Sequence, residues 1–226
     1  MKLAPLFLAP VFCLAALLAG CGSGPGAQDS ARTKGAIASF FTAGLHAGPA
    51  ATDPAADLAL RAALEADRQP IYRVSIANRS YASLMAPYGQ NQNVTTWAST
   101  AYETVSLNNG ILLATRGFGS DLMSAIAPTL AQVSKPGAQF QRVYYYLDGA
   151  DQSQHLSYNC TTATGPTETV TILAKTYPAR QIIETCVGPA EEIINRYWFE
   201  NSGKLRQSDQ FWAPGASVMH LQHVID

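Results

Sequence analysis

Residues 97–125 read WASTAYETVSLNNGILLATRGFGSDLMSA, and the fold follows from how this stretch doubles back. Side chains alternate over 102–108 and again over 111–116, with Asn109-Gly110 between them. Asn-Gly accepts positive φ at both central positions, which a two-residue type I′ hairpin requires. That loop length sets a register: Asn108 opposite Ile111, Leu107 opposite Leu112, Val105 opposite Ala114 and Glu103 opposite Arg116. One face then carries Leu107, Val105 and Glu103 with Leu112, Ala114 and Arg116. An arginine on an apolar face needs a carboxylate. Glu103 lies opposite, and Asp121 follows the bend Gly117-Phe118-Gly119. Trp97, Glu103, Arg116 and Asp121 therefore form a candidate cluster. It is either a structural staple around a buried arginine or an anion site made with the glycine-rich amides.

Upstream, Pro70 switches the chain from helical to β patterning. Segments 71–77 and 81–87 read as paired strands turning near Asn78-Arg79-Ser80, and 89–93, GQNQN, reads as a polar loop. Before Pro70, Asp53 is placed to cap a helix and Pro54 suits its first position, with Leu58, Ala59, Ala62, Leu64 and Ala66 following. An earlier helix is expected over 34–46, where Ile37, Phe40, Phe41 and Leu45 have helical spacing.

Downstream of the hairpin, 121–135 is a helix or irregular connector. Strands are expected over 140–147, 154–162, 168–176, 181–187, 193–200, 204–212 and 217–224. Their turns carry Asp148-Gly149, Gly165-Pro166, Pro178, Gly188-Pro189, Asn201-Ser202-Gly203 and Pro214-Gly215. The fold class is mainly β (α+β): a curled antiparallel sheet or partial barrel with two N-terminal helices. Glu184 shares a face with Ile182 and Cys186, so it needs an internal partner or a wet edge.

The N-terminus places the chain in the cell. Residues 1–20 have one lysine and an apolar run interrupted by Pro5 and Pro10, which suits an export signal better than a permanent span. Leu18-Ala19-Gly20-Cys21 resembles the bacterial lipobox. That resemblance implies lipidation of Cys21, with each buried methylene contributing about 0.8 kcal/mol to membrane anchoring. Residues 21–33 have tether composition, with a reach of roughly 17 Å over about ten residues. Residues 34–226 make a single β-rich domain. Cys13 leaves with the signal, so Cys160 and Cys186 remain in the folded part. An exported chain usually pairs two such cysteines, the alternative being two buried thiols.

Composition excludes some classes. Hydrophobic residues make up 47% of the chain and charged residues 14%. Loss of the signal leaves fourteen positive against sixteen negative side chains, so nothing suits nucleic acid. His220 and His223, three apart in a strand, fall on opposite faces, a poor metal pair best read as solvent-facing. No nucleophile elbow or phosphate-cradling loop occurs, and no metal or cofactor is expected. Tyr144-Tyr145-Tyr146 and Tyr197-Trp198-Phe199 put rings on both strand faces, which offers Tyr145 and Trp198 as glycan-facing candidates.

The residues Trp97, NNGILLATRGFGSDLMSA at 108–125, Cys160, Cys186 and NRYWFENSGKLRQSDQFWAPG at 195–215 together resemble the YjbF/GfcB lipoproteins. Those are Gram-negative proteins associated with exopolysaccharide and group 4 capsule secretion. One departure is visible: Ser208-Asp209-Gln210 stands where the family has Ser-Arg-Gln. The resemblance implies a periplasm-facing, lipid-anchored outer-membrane protein that assists polymer export or assembly. Its partners would be the polysaccharide and export-system proteins, and it brings no catalytic residues with it. The rival readings are a polysaccharide hydrolase or lyase, and a periplasmic carrier of a hydrophobic ligand.

Overall fold

A computed structural model describes residues 53–216 and 218–226. The signal peptide expected over 1–20, Cys21, the tether expected over 21–33 and the helix expected over 34–46 lie outside the described residues. The first described element is helix α1, Pro54–Asp67, whose N-cap Asp53 accepts from the Ala55 amide at 3.0 Å. Arg68 ends it in the left-handed region. Its buried face is Arg61 and Leu64, while Leu58 is exposed.

Twelve strands follow: β1 Ile71–Ile76, β2 Tyr81–Asn91, β3 Val94–Ala98, β4 Thr104–Asn108, β5 Ile111–Arg116 and β6 Ser124–Ile126, then β7 Gln139–Leu147, β8 Ser153–Ile172, β9 Lys175–Val187, β10 Ile193–Phe199, β11 Leu205–Gln210 and β12 Met219–Ile225. A short helix α2, Leu130–Val133, precedes β7 and is capped by a reciprocal Thr129–Gln132 capping box. The strands form one antiparallel sheet in the order β5-β4-β3-β2-β1-β12-β11-β10-β9-β8-β7-β6. Sequential strands are neighbours throughout, except that β1 pairs with β12 and the sheet's two ends are β5 and β6. Those ends nearly meet. The Thr115 amide donates to the Leu122 carbonyl at 2.9 Å, and the Met123 amide donates to Tyr145 on β7 at 2.9 Å. The result is a nearly closed barrel, which limits the exposed edge.

The Asn109-Gly110 turn forms as read, with φ of 51° and 90°. Two residues further on the register changes. Leu107 faces Leu112, but Ser106 faces Ala114 and Val105 faces Thr115. The extra residue in β5 is a bulge, and it turns every later side chain to the opposite face. Thr115 is therefore buried and Arg116 exposed, which overturns the expectation of a buried Arg116 opposite Glu103.

A second correction concerns the long hairpin. Gly165-Pro166 is not a turn but a bulge within β8, and Pro178 sits inside β9 opposite Thr169. The chain reverses at Leu173-Ala174, both at positive φ. Burial decides this against local turn chemistry. Val170, Ile172, Leu173 and Tyr177 at the tip pack in one cluster with Leu64 of α1 and Trp198. Arg61 locks the arrangement by donating to the carbonyls of Ile172 at 2.8 Å and Val224 at 3.1 Å and to the Tyr177 hydroxyl at 2.6 Å.

The main core gathers alternate residues of many strands, including Tyr72, Val74 and Ile76, Trp97, Leu107, Cys160, Cys186, Met219 and Leu221. Phe211, Trp212 and Ala213 complete it from the segment after β11.

Candidate functional site

β1 alternates so that Tyr72 shares the buried face with Val74 and Ile76. β12 does the same with Met219 and Leu221, and His223 follows on that face half-buried. Because Tyr72 is paired with His223 across the strands, their rings stack, with centroids 4.6 Å apart and planes 7° from parallel. Trp97 of β3 meets Tyr72 edge-on at 4.6 Å. Each geometry is among those that aromatic quadrupoles favour.

These three rings wall a cavity of about 440 Å³. The cavity's lining also includes the polar Gln90, Asn93 and Thr95 from the β2–β3 hairpin and Asn109 from the β4–β5 turn, with the apolar Leu107, Leu130 and Leu205. Lys204 and Asp226 also line it, and form an ion pair at 2.5 Å. Gly110 is needed here for its positive φ, and a Cβ on it would meet the terminal methyl of Leu205 at 2.8 Å. Gln210, inside the barrel, fixes this turn. Its Nε2 donates to the Gly110 carbonyl at 2.7 Å and its Oε1 accepts from the Leu112 amide at 3.0 Å.

Electrostatics keep the aromatic wall neutral. Burial pushes the His223 imidazole down to about 4, and nearby Lys204 pushes the same way. Burial raises the Tyr72 hydroxyl well above its ordinary value, with Asp226 adding to the effect. Although burial opposes it, hydrogen bonds from Arg206 and Lys204 hold the Asp226 carboxyl well below the usual range. Flat rings and side-chain amides in one lining suit a ligand with apolar C–H faces and many hydroxyls. Among the described residues Asp226 is the one carboxylate lining the cavity, whereas glycoside cleavage ordinarily uses two.

The barrel interior holds a separate polar group. The Glu184 carboxylate, fully buried, is bound by Arg142 through two contacts of 2.5 and 3.0 Å. The Tyr197 hydroxyl donates to it at 2.7 Å and the Asn195 amide nitrogen at 3.1 Å. Asn195 also accepts from the Phe211 amide at 2.7 Å. The internal partner that Glu184 required is thus Arg142, on a strand the sequence did not connect to it. Beside it, Cys160 and Cys186 face each other across β8 and β9 and form a disulfide, S–S 2.06 Å.

The cluster expected around Arg116 does not assemble as one site. Trp97 belongs to the mouth cavity. Asp121 braces the glycine bend, accepting from the Gly117 amide at 2.8 Å, the Phe118 amide at 3.1 Å and the Thr115 hydroxyl at 2.9 Å. Exposed Arg116 donates to the carbonyls of Leu122 and Met123, at 2.9 and 3.1 Å. Glu103 accepts from the Ser99 hydroxyl and from Tyr81. Of the two aromatic candidates, Tyr145 is half-buried with its ring beside His155. Trp198 is buried, and its indole N–H donates to Glu168 at 2.5 Å. The long hairpin and α1 cover the outer face at Trp198, so it offers no ring to a glycan.

His220 and His223 do point to opposite sides. His220 pairs with Asp209 at 2.5 Å, which gives the departing residue of the Ser-Asp-Gln triplet a cross-strand partner. His223 is not solvent-facing but part of the cavity wall, with its side chain only 18% exposed. Tyr72 and His223 were missed as site residues, although alternation with Val74 and Ile76, and with Met219 and Leu221, is the signal that places them inside.

Comparison with known proteins places this fold. No curated protein sequence matches the chain. The crystal structure of the hypothetical lipoprotein YmcC from Escherichia coli (K12) is similar, with a TM-score of 0.66 and 16% identity over 75% of this chain and 90% of that one. A protein with a YmcC-like fold from Bacteroides fragilis aligns at a TM-score of 0.35 and 10% identity, over 70% of this chain and 93% of that one. Residues 42–224 match the sequence pattern described as group 4 capsule polysaccharide lipoprotein gfcB, YjbF. That match takes in all twelve strands but the last residue of β12, and the chain belongs to the YjbF family of capsule-associated lipoproteins.

Proposed function

We propose that this chain is a periplasm-facing outer-membrane lipoprotein that assists export or assembly of an exopolysaccharide or capsule by binding the polymer, without cleaving it. The observation that carries the reading is the mouth cavity, where Tyr72, Trp97 and His223 share the lining with Gln90, Asn93 and Thr95. A volume of about 440 Å³ lies within the range of sites that hold small ligands. Family membership supports the process, and Cys21 with its lipobox-like context supplies the anchor. The tether 21–33 lets the barrel stand just off the bilayer while the polymer passes. Export-system proteins would meet the remaining surface.

The occupied barrel interior favours this reading over a carrier of a hydrophobic ligand, because Arg142, Glu184, Asn195 and Tyr197 fill space that a lipid would need. The single, ion-paired carboxylate of the cavity favours it over a hydrolase.

Equilibrium dialysis of the full chain in detergent micelles against exopolysaccharide from its own cell tests this. Binding is expected, with no change in polymer length by size-exclusion chromatography. Thr95→Arg, which fills the cavity from a half-buried strand position, should weaken binding by about tenfold or more, equivalent to about 1.4 kcal/mol. Absence of binding, or shortening of the polymer, would contradict the reading.

A further inference from the structure

The β2–β3 hairpin has two faces. Trp97 and Thr95 line the mouth cavity, while Val94 and Thr96 line a second, shallower cavity of about 530 Å³ on the other side. Gln90 lines both. In β2 the register shifts between Pro87 and Gly89, so Tyr88 is the extra residue of a bulge. Bulges re-aim side chains, and this one leaves the Tyr88 ring 63% exposed at the second cavity.

The strand edge at this point is also unusual. Pairing of β2 with β1 ends at Met85, and among the described residues no strand pairs with 86–91 on the side away from β3. An open edge ordinarily invites another β-strand. Here Pro87 lacks an N–H and the bulge breaks the spacing of the ladder, so a protein strand is a poor occupant. What the edge presents instead is a flat phenol ring, the Gln90 amide and the neighbouring Asn91, Gln92 and Asn93.

We propose that Tyr88 forms a second subsite and that the complete site takes a linear glycan several sugar units long. The chain would run from the mouth cavity across Gln90 onto Tyr88. This rests on the glycan reading of the mouth cavity and adds that the ligand is recognised as a chain segment rather than as a single sugar or a chain end. A ring that stacks on Tyr88 must be connected to one already seated against Trp97, so affinity should rise with ligand length.

The test uses disaccharide and octasaccharide fractions prepared by partial hydrolysis of the cell's own exopolysaccharide, titrated into the full chain in micelles. The octasaccharide should bind the wild type more tightly than the disaccharide. Tyr88→Ala should weaken the octasaccharide about fivefold, in keeping with loss of one exposed ring contact, and leave the disaccharide unchanged. Because Tyr88 packs little, its removal should leave the melting temperature in place. Equal affinity of the two fractions for the wild type, or an unaltered octasaccharide affinity in Tyr88→Ala, overturns the second subsite while the mouth cavity stands. Failure of both fractions to bind the wild type overturns both.

Discussion

Glu184 on β9 and Arg142 on β7 are separated by 42 residues in sequence and pair inside the barrel, past the intervening strand β8. A buried charge left alone is far costlier than a buried pair, so the pair acts as one unit. Glu184→Ala should lower unfolding free energy by about 3–5 kcal/mol, since it strands the Arg142 guanidinium at 1% exposure. Denaturant titration measures this, and replacing both members by apolar residues of similar volume should recover most of the loss. His223 gives a pH signature of its own. Its imidazole is held near 4 in the folded chain against 6.5 for the free group. As pH falls through that interval the unfolded chain takes up a proton that the native stack refuses, so acid favours unfolding. The loss should be on the order of 3 kcal/mol between neutral pH and about pH 4. His223→Phe keeps a ring against Tyr72 and should flatten that part of the stability profile, as denaturant midpoints at the two pH values would report.

At the scale of elements, the clearest local signals were those whose cause is local. Asn109-Gly110 forms its turn because two adjacent residues supply the backbone angles, and α1 starts at Pro54 because Asp53 caps it. The bulge in β5 has no such signature. It follows from where β5 must present Thr115, whose hydroxyl joins Asp121 and receives the Leu122 amide at the barrel seam. Likewise, Gly165-Pro166 looks like a turn until the outer cluster around Leu64 and Trp198 is known, because burial of Val170, Ile172 and Tyr177 needs a longer hairpin. The candidate site was legible in part. Trp97 was picked out, but for a cluster with Arg116 that the bulge dissolves, while the facing rings of Tyr72 and His223 come together only when the first and last strands pair. The disulfide belongs to this scale too. It links β8 to β9 across 26 residues, and in the chain-entropy description a loop of that length stabilises by roughly 3–4 kcal/mol. Replacing both cysteines by alanine should lower stability by about that amount, and thiol labelling of the unfolded, exported protein should find neither Cys160 nor Cys186 free.

Across the whole molecule, pairing of β1 with β12 joins the chain's first and last strands in the middle of the sheet and leaves the seam at β5 and β6. That closure has a functional consequence. It sets Trp97, Tyr72 and His223 from three strands around one mouth, with the β2–β3 hairpin standing over it. Elsewhere in the interior, Arg142 and Glu184 are fully buried and occupy space with paired charge. Amide nuclear magnetic resonance on the full chain in micelles, recorded as exopolysaccharide fragments are added, examines binding at this mouth most directly. The account predicts saturable shifts concentrated at Gln90 to Trp97, Asn109-Gly110 and Lys204, with the fragments unchanged in size; shifts confined to the Tyr145 side of the barrel, or none at saturating fragment, would contradict it.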